Sequence, residues 1–306
     1  MSRTDSFAGF NLTSSKLQYV EVSVNDKQIE LLNVNEVFLN EEINFENDKI
    51  SKIGALIQSA YEELQLNNQI NPKFVSFTLP LDLFSIVQLP LDDRLSVQEA
   101  IEDFRIQYSI LFPFRENLLI KYYEVEPNAL NNNDSAIVFG IENKFIECIN
   151  NFAKDNELKI LFIDNPLTSA NLSLLSSNSV LCKGYYLSIY IQKKNIAYTL
   201  SFNQKILRMK SFYFTRIGDL PEILNAEFNQ EIFSKIDFDS LSASFISGDE
   251  VSPNLVSLLR KSLNIDFILF NPFEKLKTRP EIFDNKFFLK KYNSFSSALG
   301  IALRLN

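Results

Sequence analysis

The residue types that most often carry catalysis are sparse in this chain. It contains no histidine, which removes Ser-His-Asp and Cys-His nucleophile systems, imidazole proton shuttles and every metal site built on imidazole. The two cysteines, Cys148 and Cys182, stand 34 residues apart without a Cys-x-x-Cys partner, so neither a zinc ribbon nor a disulfide framework can be read. They suit small core positions in a reducing compartment. A phosphate-gripping loop needs glycines that let successive backbone N–H groups point at an anion. The seven glycines, at positions 9, 54, 140, 184, 218, 248 and 300, include no two within two residues of each other, so the chain has no Gly-x-Gly, Gly-Gly or Walker-type loop. No catalytic residue and no metal site follows from these types and spacings. The run Thr13-Ser14-Ser15 has the composition of an ordinary polar hairpin. Asp164 has two readings, a cleft acid or part of the helix start Asp164-Asn165-Pro166 with Asn165 as N-cap and Pro166 in the first turn; the spacing favours the second.

The background charge narrows the partners. Thirty basic against 38 acidic side chains leave a net charge of −8 and a pI near 4.9, which opposes a phosphate backbone or an anionic bilayer. Nucleic acid is therefore not an expected partner. The first residues, MSRTDSFAGFNLTSS, lack a signal-peptide layout and no stretch approaches the roughly 18 uninterrupted apolar residues of a membrane span, so a soluble cytoplasmic chain without direct membrane insertion is expected. Twenty-eight phenylalanines without a tryptophan could be stacking platforms for bases, but without a basic surround they read as core.

The elements that must position any site follow from hydrophobic period. Phe7 to Leu12, Leu17 to Val24 and Ile29 to Leu39 alternate as three strands of a meander, with a turn at Asn25-Asp26-Lys27. Ile53, Leu56, Ile57, Ala60 and Leu64 share a helical face in residues 48 to 66, and Phe74 to Leu79 returns to strand. Leu83 to Leu89 predicts a strand stopped by Pro90. Ser96 and Glu99 form a capping box for a helix whose face is Ile101, Phe104, Tyr108 and Leu111 and which Pro113 ends. Strands at Leu118 to Val125 and Ala136 to Ile141, a helix through Phe145, Ile149, Phe152 and Ala153, and a strand at Leu158 to Ile163 complete the half. The second half opens with a like meander, Tyr186 to Ile191, Ile196 to Phe202 and Ile206 to Phe214, and continues with helices at 217 to 228 and Asn254 to Leu263, strands at Leu241 to Ser247 and Ile265 to Leu269, and a last helix carrying Ala298, Ile301, Ala302 and Leu305. Two halves with the same opening suggest a duplicated α/β lobe with a cleft between.

Several segments carry a family resemblance in order. Gly9-Phe10-Asn11-Leu12-Thr13-Ser14-Ser15-Lys16-Leu17-Gln18-Tyr19-Val20-Glu21-Val22 resembles the Gly-Ile-Asp-Ile-Gly-Ser-Ser-x-x-Lys-x-Val-Glu-Leu opening of the type IV pilus assembly proteins called PilM, members of the actin-like ATPase superfamily. Leu89-Pro90 with the capped helix and Phe112-Pro113-Phe114 is similar to that family's inserted subdomain. Ile246-Ser247-Gly248 is similar to its adenosine-site turn, and Asn271-Pro272-Phe273 and Ala298 to Arg304 to its C-terminal segments. The resemblance implies an actin-like (RNase H-like duplicated) two-lobed α/β fold with a small α+β subdomain inserted in the first lobe. The expected boundaries are residues 1–175 for the first lobe, about 82–163 for the insert and 176–306 for the second lobe.

The same comparison implies that the nucleotide site is degenerate. At the first phosphate hairpin the family's Asp, Gly and Lys match Asn11, Thr13 and Gln18, with Ser14 and Ser15 retained; at the second, Ser188 stands for its Asp and Tyr190 for its Gly; at the third, Gly248 survives beside Asp249. Each lost charged phosphate contact is worth roughly 1.5–3 kcal/mol. The expectation is a pseudo-ATPase without a cofactor, a scaffold peripheral to the cytoplasmic face of the inner membrane. It would hold the N-terminal cytoplasmic tail of a PilN-like bitopic protein in a groove between the first core subdomain and the insert, for which Leu89, Phe112 and Phe114 are the candidate lining; self-association is left open. The rival reading is an ATP-binding actin-like ATPase, with Mg²⁺, that polymerises or switches conformation with nucleotide. A sugar or acetate kinase of this fold would need two glycine-rich hairpins and a catalytic Asp.

Overall fold

A computed structural model describes residues 6–25, 28–67, 70, 72–115, 117–128, 130–178, 180–230, 233–278, 282 and 291–304. Of the expected features, turn residues Asp26 and Lys27 and helix residue Leu305 lie outside these. The first meander is β1 (Ser6–Leu12), β2 (Lys16–Asn25) and β3 (Gln28–Phe38), followed by helix α1 (Ile50–Asn67) and strand β4 (Phe74–Thr78). Then come β5 (Ser85–Pro90), α2 (Val97–Leu111), β6 (Leu118–Val125), β7 (Ser135–Glu142), α3 (Asn143–Asp155), β8 (Lys159–Asp164) and α4 (Pro166–Asn178). The second meander, β9 (Tyr185–Gln192), β10 (Asn195–Phe202) and β11 (Lys205–Tyr213), leads to α5 (Leu220–Phe228), β12 (Ala243–Gly248), α6 (Pro253–Leu263), β13 (Phe267–Leu269), β14 (Lys277–Thr278) and α7 (Ser296–Ala302).

Duplication is visible in the strand orders. One sheet runs β14-β3-β2-β1-β4-β8 and another β11-β10-β9-β12-β13. In each, an antiparallel meander presents its first strand to two further parallel strands, β4 and β8 on β1, β12 and β13 on β9. A third sheet, β5-β7-β6, is antiparallel and carries α2.

Contacts divide the chain differently from the expected boundaries. One compact unit holds Met1–Leu83, Lys144–Ser177 and Phe270–Asn306; the other holds Phe84–Asn143 and Asn178–Leu269. The insert is thus shorter than 82–163, because β8 pairs in parallel with β4 and so returns, with α3, to the first sheet. The chain end also leaves the expected second lobe: α7 lies against β1, where a Cβ on Gly9 would meet the Ala298 carbonyl oxygen at 2.0 Å, so only glycine allows this approach.

The phenylalanines build the cores. In the first unit Phe10 stacks on Phe77 at 4.9 Å and meets Tyr19 at 5.1 Å, while Tyr61 meets Phe152 at 5.2 Å. In the second, Leu187, Ile189 and Ile191 of β9 join Ile196, Tyr198 and Leu200 of β10 beneath α5 and α6. The insert has its own core of Leu89, Ala100, Phe104, Tyr108, Ala136 and Val138. The capping box at Ser96 and Glu99 forms as expected. Leu111, expected inward, is half exposed because Phe112, at the helix C-cap, turns its ring onto Tyr108 at 4.8 Å.

Candidate functional site

In the first unit the resemblance places its phosphate chemistry at the carboxyl ends of β1, β4 and β8, where open α/β sheets bind ligands. Strand register lines up Asp164, Thr78, Asn11, Gln18 and Glu36 as one row across β8, β4, β1, β2 and β3. From Thr78 to Glu36 the row is bonded side chain to side chain. Thr78 Oγ1 donates to Asn11 Oδ1 at 2.7 Å, Asn11 Nδ2 to Gln18 Oε1 at 2.8 Å, and Gln18 Nε2 to Glu36 Oε2 and to Ser294 Oγ, both at 3.0 Å. Cations close the two ends: Lys16 Nζ lies 2.8 Å from Glu36 Oε2, and Arg304 pairs with Asp164. Both carboxylates that could have held a cation are neutralised by the chain's own residues.

The adjoining turn is closed as well. Thr13 Oγ1 accepts from the backbone N–H groups of Ser15 and Lys16 at 3.2 and 3.0 Å, and the Thr13 N–H donates to the Lys16 carbonyl at 2.9 Å. Ser14 and Ser15 carbonyls accept from Ile43 and Leu39, pinning the turn beneath that segment, and Ser14 Oγ reaches Glu42 at 3.3 Å. Thr13 is only 3% exposed. Three N–H groups that an anion would need thus point at intraloop acceptors, and Asn11, Thr13 and Gln18 are parts of a satisfied polar core. Asp164 also accepts from the Asn165 N–H, and Asn165 Oδ1 accepts from the Thr168 N–H at 2.9 Å, which is the N-cap that the local spacing favours.

In the second unit Ser188 and Tyr190 lie on β9 within regular pairing. Ser188 is opposite Thr199 and Phe245, and Tyr190 opposite Ala197 and Ser247. The pairing runs on to Gln192 opposite Asn195, so the bend falls at Lys193-Lys194, with Lys193 at φ 53°, rather than at Tyr190. The row through Ser188 reads Ile268, Phe245, Ser188, Thr199 and Met209 across β13, β12, β9, β10 and β11, with no charged member. Tyr190 is fully buried. Gly248 has a structural requirement of its own: its φ is +117°, and a Cβ there would meet the Ile191 carbonyl oxygen at 2.0 Å, while the Asp249 N–H donates to that same oxygen at 3.0 Å.

In the first unit a phosphate with Mg²⁺ does not fit these residues: the Thr13, Ser15 and Lys16 N–H groups have internal acceptors and the Glu36 and Asp164 carboxylates have internal cations. In the second unit the buried Tyr190 stands where the resemblance expects a bare glycine. Among the described residues no group of three Cys, Asp or Glu side chains could hold a metal ion.

The candidate groove residues are separated. Leu89 belongs to the insert core, with one side on a depression of 330 Å³ that Gln88, Asn131, Asn133 and Arg208 also line. Phe112 packs on Tyr108, and Phe114 is 97% exposed. Leu89 lies on the helix-covered side of the small sheet, buried but bordering that depression.

Sequence reasoning missed Lys16, Glu36, Thr78, Ser294 and Arg304. Glu36 was within reach, since strand alternation puts it opposite Gln18 once the meander is registered. Ser294 and Arg304 come from the far end of the chain, with no local signal. It also missed Glu227 of α5, buried in the second unit, whose oxygens accept from Tyr198 at 2.5 Å, Lys210 at 2.6 Å, Gln230 at 2.8 Å and Arg208 at 3.1 Å. Burial pushes its pKa up, but the hydrogen bonds from Lys210, Tyr198 and Arg208 outweigh it and hold the carboxyl below the ordinary glutamate value.

No protein-family model matches the chain, and no curated protein matches it. Solved structures do match over most of its length. A chain of the PilM-PilN type IV pilus biogenesis complex superposes with a TM-score of 0.73 at 16% identity, covering 97% of each chain. A Bacteroides thetaiotaomicron protein with actin-like ATPase fold and unknown function superposes with a TM-score of 0.52 at 16% identity, covering 87% of this chain and 91% of that one. The chain therefore has the actin-like ATPase fold, in a form similar from end to end to the one in the PilM-PilN complex.

Proposed function

We propose that this protein is a non-catalytic scaffold of a type IV pilus or related secretion platform at the inner membrane, and that it binds the short N-terminal cytoplasmic tail of a PilN-like membrane protein. The observation that carries this reading is the match over 97% of both chains to a structure described as a PilM-PilN complex. The closed polar row and the closed Thr13 turn support the non-catalytic half. Among the described residues no helix is long and apolar enough to cross a membrane.

Two titrations test it. A synthetic peptide of the tail should bind the full chain saturably in the micromolar range, and a fluorescent ATP analogue with Mg²⁺ should not. Absence of peptide binding would remove the scaffold reading. Micromolar, Mg²⁺-dependent nucleotide binding would replace it with the ATP-dependent alternative.

A further inference from the structure

The outer edge of the second unit's sheet is left open by the fold. In the order β11-β10-β9-β12-β13, strand β13 pairs with β12, and among the described residues no further strand pairs with it. A sheet edge offers backbone N–H and C=O groups to any strand that reaches it. Phe267 turns into the core of the unit, whereas Ile268, on the opposite face by strand alternation, is 46% exposed. Apolar surface continues at the same end of the sheet. Val180 and Leu181 are 69% and 42% exposed, and the Leu181 carbonyl accepts from Ser242 Oγ at 2.8 Å, beside the start of β12. Ser242 and Ile268 line one groove of 510 Å³, together with Phe238 and Leu241.

Charge decides what can cover this edge. The segment Asn178–Leu269 has ten basic against nine acidic residues, a net +1, so the rest of the chain carries −9 to make the total of −8. Two copies of such a chain repel over most of their surface and least here. The rim of the groove holds one charge of each sign: Arg260 Nε lies 2.5 Å from Asp266 Oδ1, with 60% and 82% of the two side chains exposed. An ion pair so exposed contributes little within one copy, and a two-fold axis beside it gives each arginine the other copy's aspartate in exchange.

We infer that this edge is the interface of a two-fold symmetric dimer, occupied by a second copy of this chain. The two β13 strands run antiparallel about Ile268, so that Ile268 meets its own copy and Phe267 lies opposite the partner subunit's Leu269, with Val180 and Leu181 at the flank. Such an interface closes on itself, and assembly stops at two copies. The inference stands apart from the tail-binding reading and survives its failure.

Sedimentation velocity of the full chain over a concentration series is the test. The sedimenting mass should rise from one copy to two in the micromolar range and stop there. Ile268→Asp and Val180→Asp should each raise the dissociation constant at least about tenfold. Arg260→Asp should raise it about fivefold at low salt, and adding Asp266→Arg should restore it, which a merely local disturbance would not do. The replaced side chains are all exposed, so melting temperatures should match the parent's under conditions where every variant is monomeric. As an independent measurement, Ile268→Cys should give a disulfide-linked dimer under mild oxidant, because a residue on the axis lies beside its own copy. Leu66→Cys, at a position 88% exposed in the first unit, should not, and Cys148 and Cys182 are buried and stay silent. A single-copy mass at every concentration overturns the inference. So does a mass that climbs past two copies, a dissociation constant that both aspartate variants leave within a factor of two, or equal cross-linking at 66 and 268.

Discussion

At the first hairpin, residues 11–18, polar side chains are bonded across strands and a hydroxyl closes the turn, whereas at the second, residues 186–197, regular pairing simply continues and an aromatic ring fills the space. Both sit at the same place in sheets of the same order. One row holds two ion pairs and three neutral groups; the other holds two hydroxyls between apolar ends. A shared topology therefore sets where a crevice can be, and the chemistry of its lining is free to change by different routes in the two copies. In the first copy the donors of the row already have acceptors, and in the second a buried ring takes the matching position.

The largest expected effect lies on the volume side. Tyr190→Ala removes a fully buried ring from the central strand of its sheet and should cost about 3–5 kcal/mol, as other large-to-small core changes do. Urea denaturation measures the loss. Cys182, buried in the same unit with its thiol pushed up to about 11 by burial, reports where the loss falls. Its labelling by a thiol reagent should accelerate while that of Cys148, in the first unit, stays slow. Equal acceleration of both would show that the two regions are not energetically separable and would break the comparison.

On the polar side, Gln18→Leu should cost about 2–3 kcal/mol, less than the ring but more than one ordinary hydrogen bond. Gln18 has side-chain partners on both sides, Asn11, Glu36 and Ser294, and all lose a bond at once. The Glu36 carboxylate keeps Lys16 and remains an ion pair, which limits the loss. Here Cys148 should become the faster thiol. A cost below about 0.5 kcal/mol would mean that the row is held by packing and not by its hydrogen bonds.

How far the sequence reveals this contrast depends on distance along the chain. The meanders, the capped helix α2 and the Pro113 stop are legible because period, caps and breakers act within a few residues. That Thr13 and Tyr190 stand at glycine positions of the motif the chain resembles is legible from the sequence, and the structure adds that the first closes a turn and the second is buried. The row is half legible: Gln18 and Glu36 follow from register, but Arg304 reaches Asp164 across 140 residues, and no local pattern announces it. The short insert and the return of residues 270–306 to the first unit are not legible either, because the partner of a parallel strand is decided by which sheet edge lies open.

The smallest effect sharpens the comparison most, because it concerns a single oxygen. Thr13→Val keeps the shape of the side chain and removes the acceptor shared by the Ser15 and Lys16 N–H groups. Water can reach part of Ser15, so its amide regains a partner, while Lys16 at the buried start of β2 does not do so easily. The expected cost is about 1–2 kcal/mol, and Thr13→Ser, which restores the oxygen, should recover most of it. The amides of Ser15 and Lys16 should lose hydrogen-exchange protection in Thr13→Val, with those of Lys193 and Asn195 in the second hairpin unchanged. If protection at Ser15 and Lys16 persists, the pinning of the Ser14 and Ser15 carbonyls by Ile43 and Leu39 is sufficient to hold the turn, and the hydroxyl is incidental to its closure.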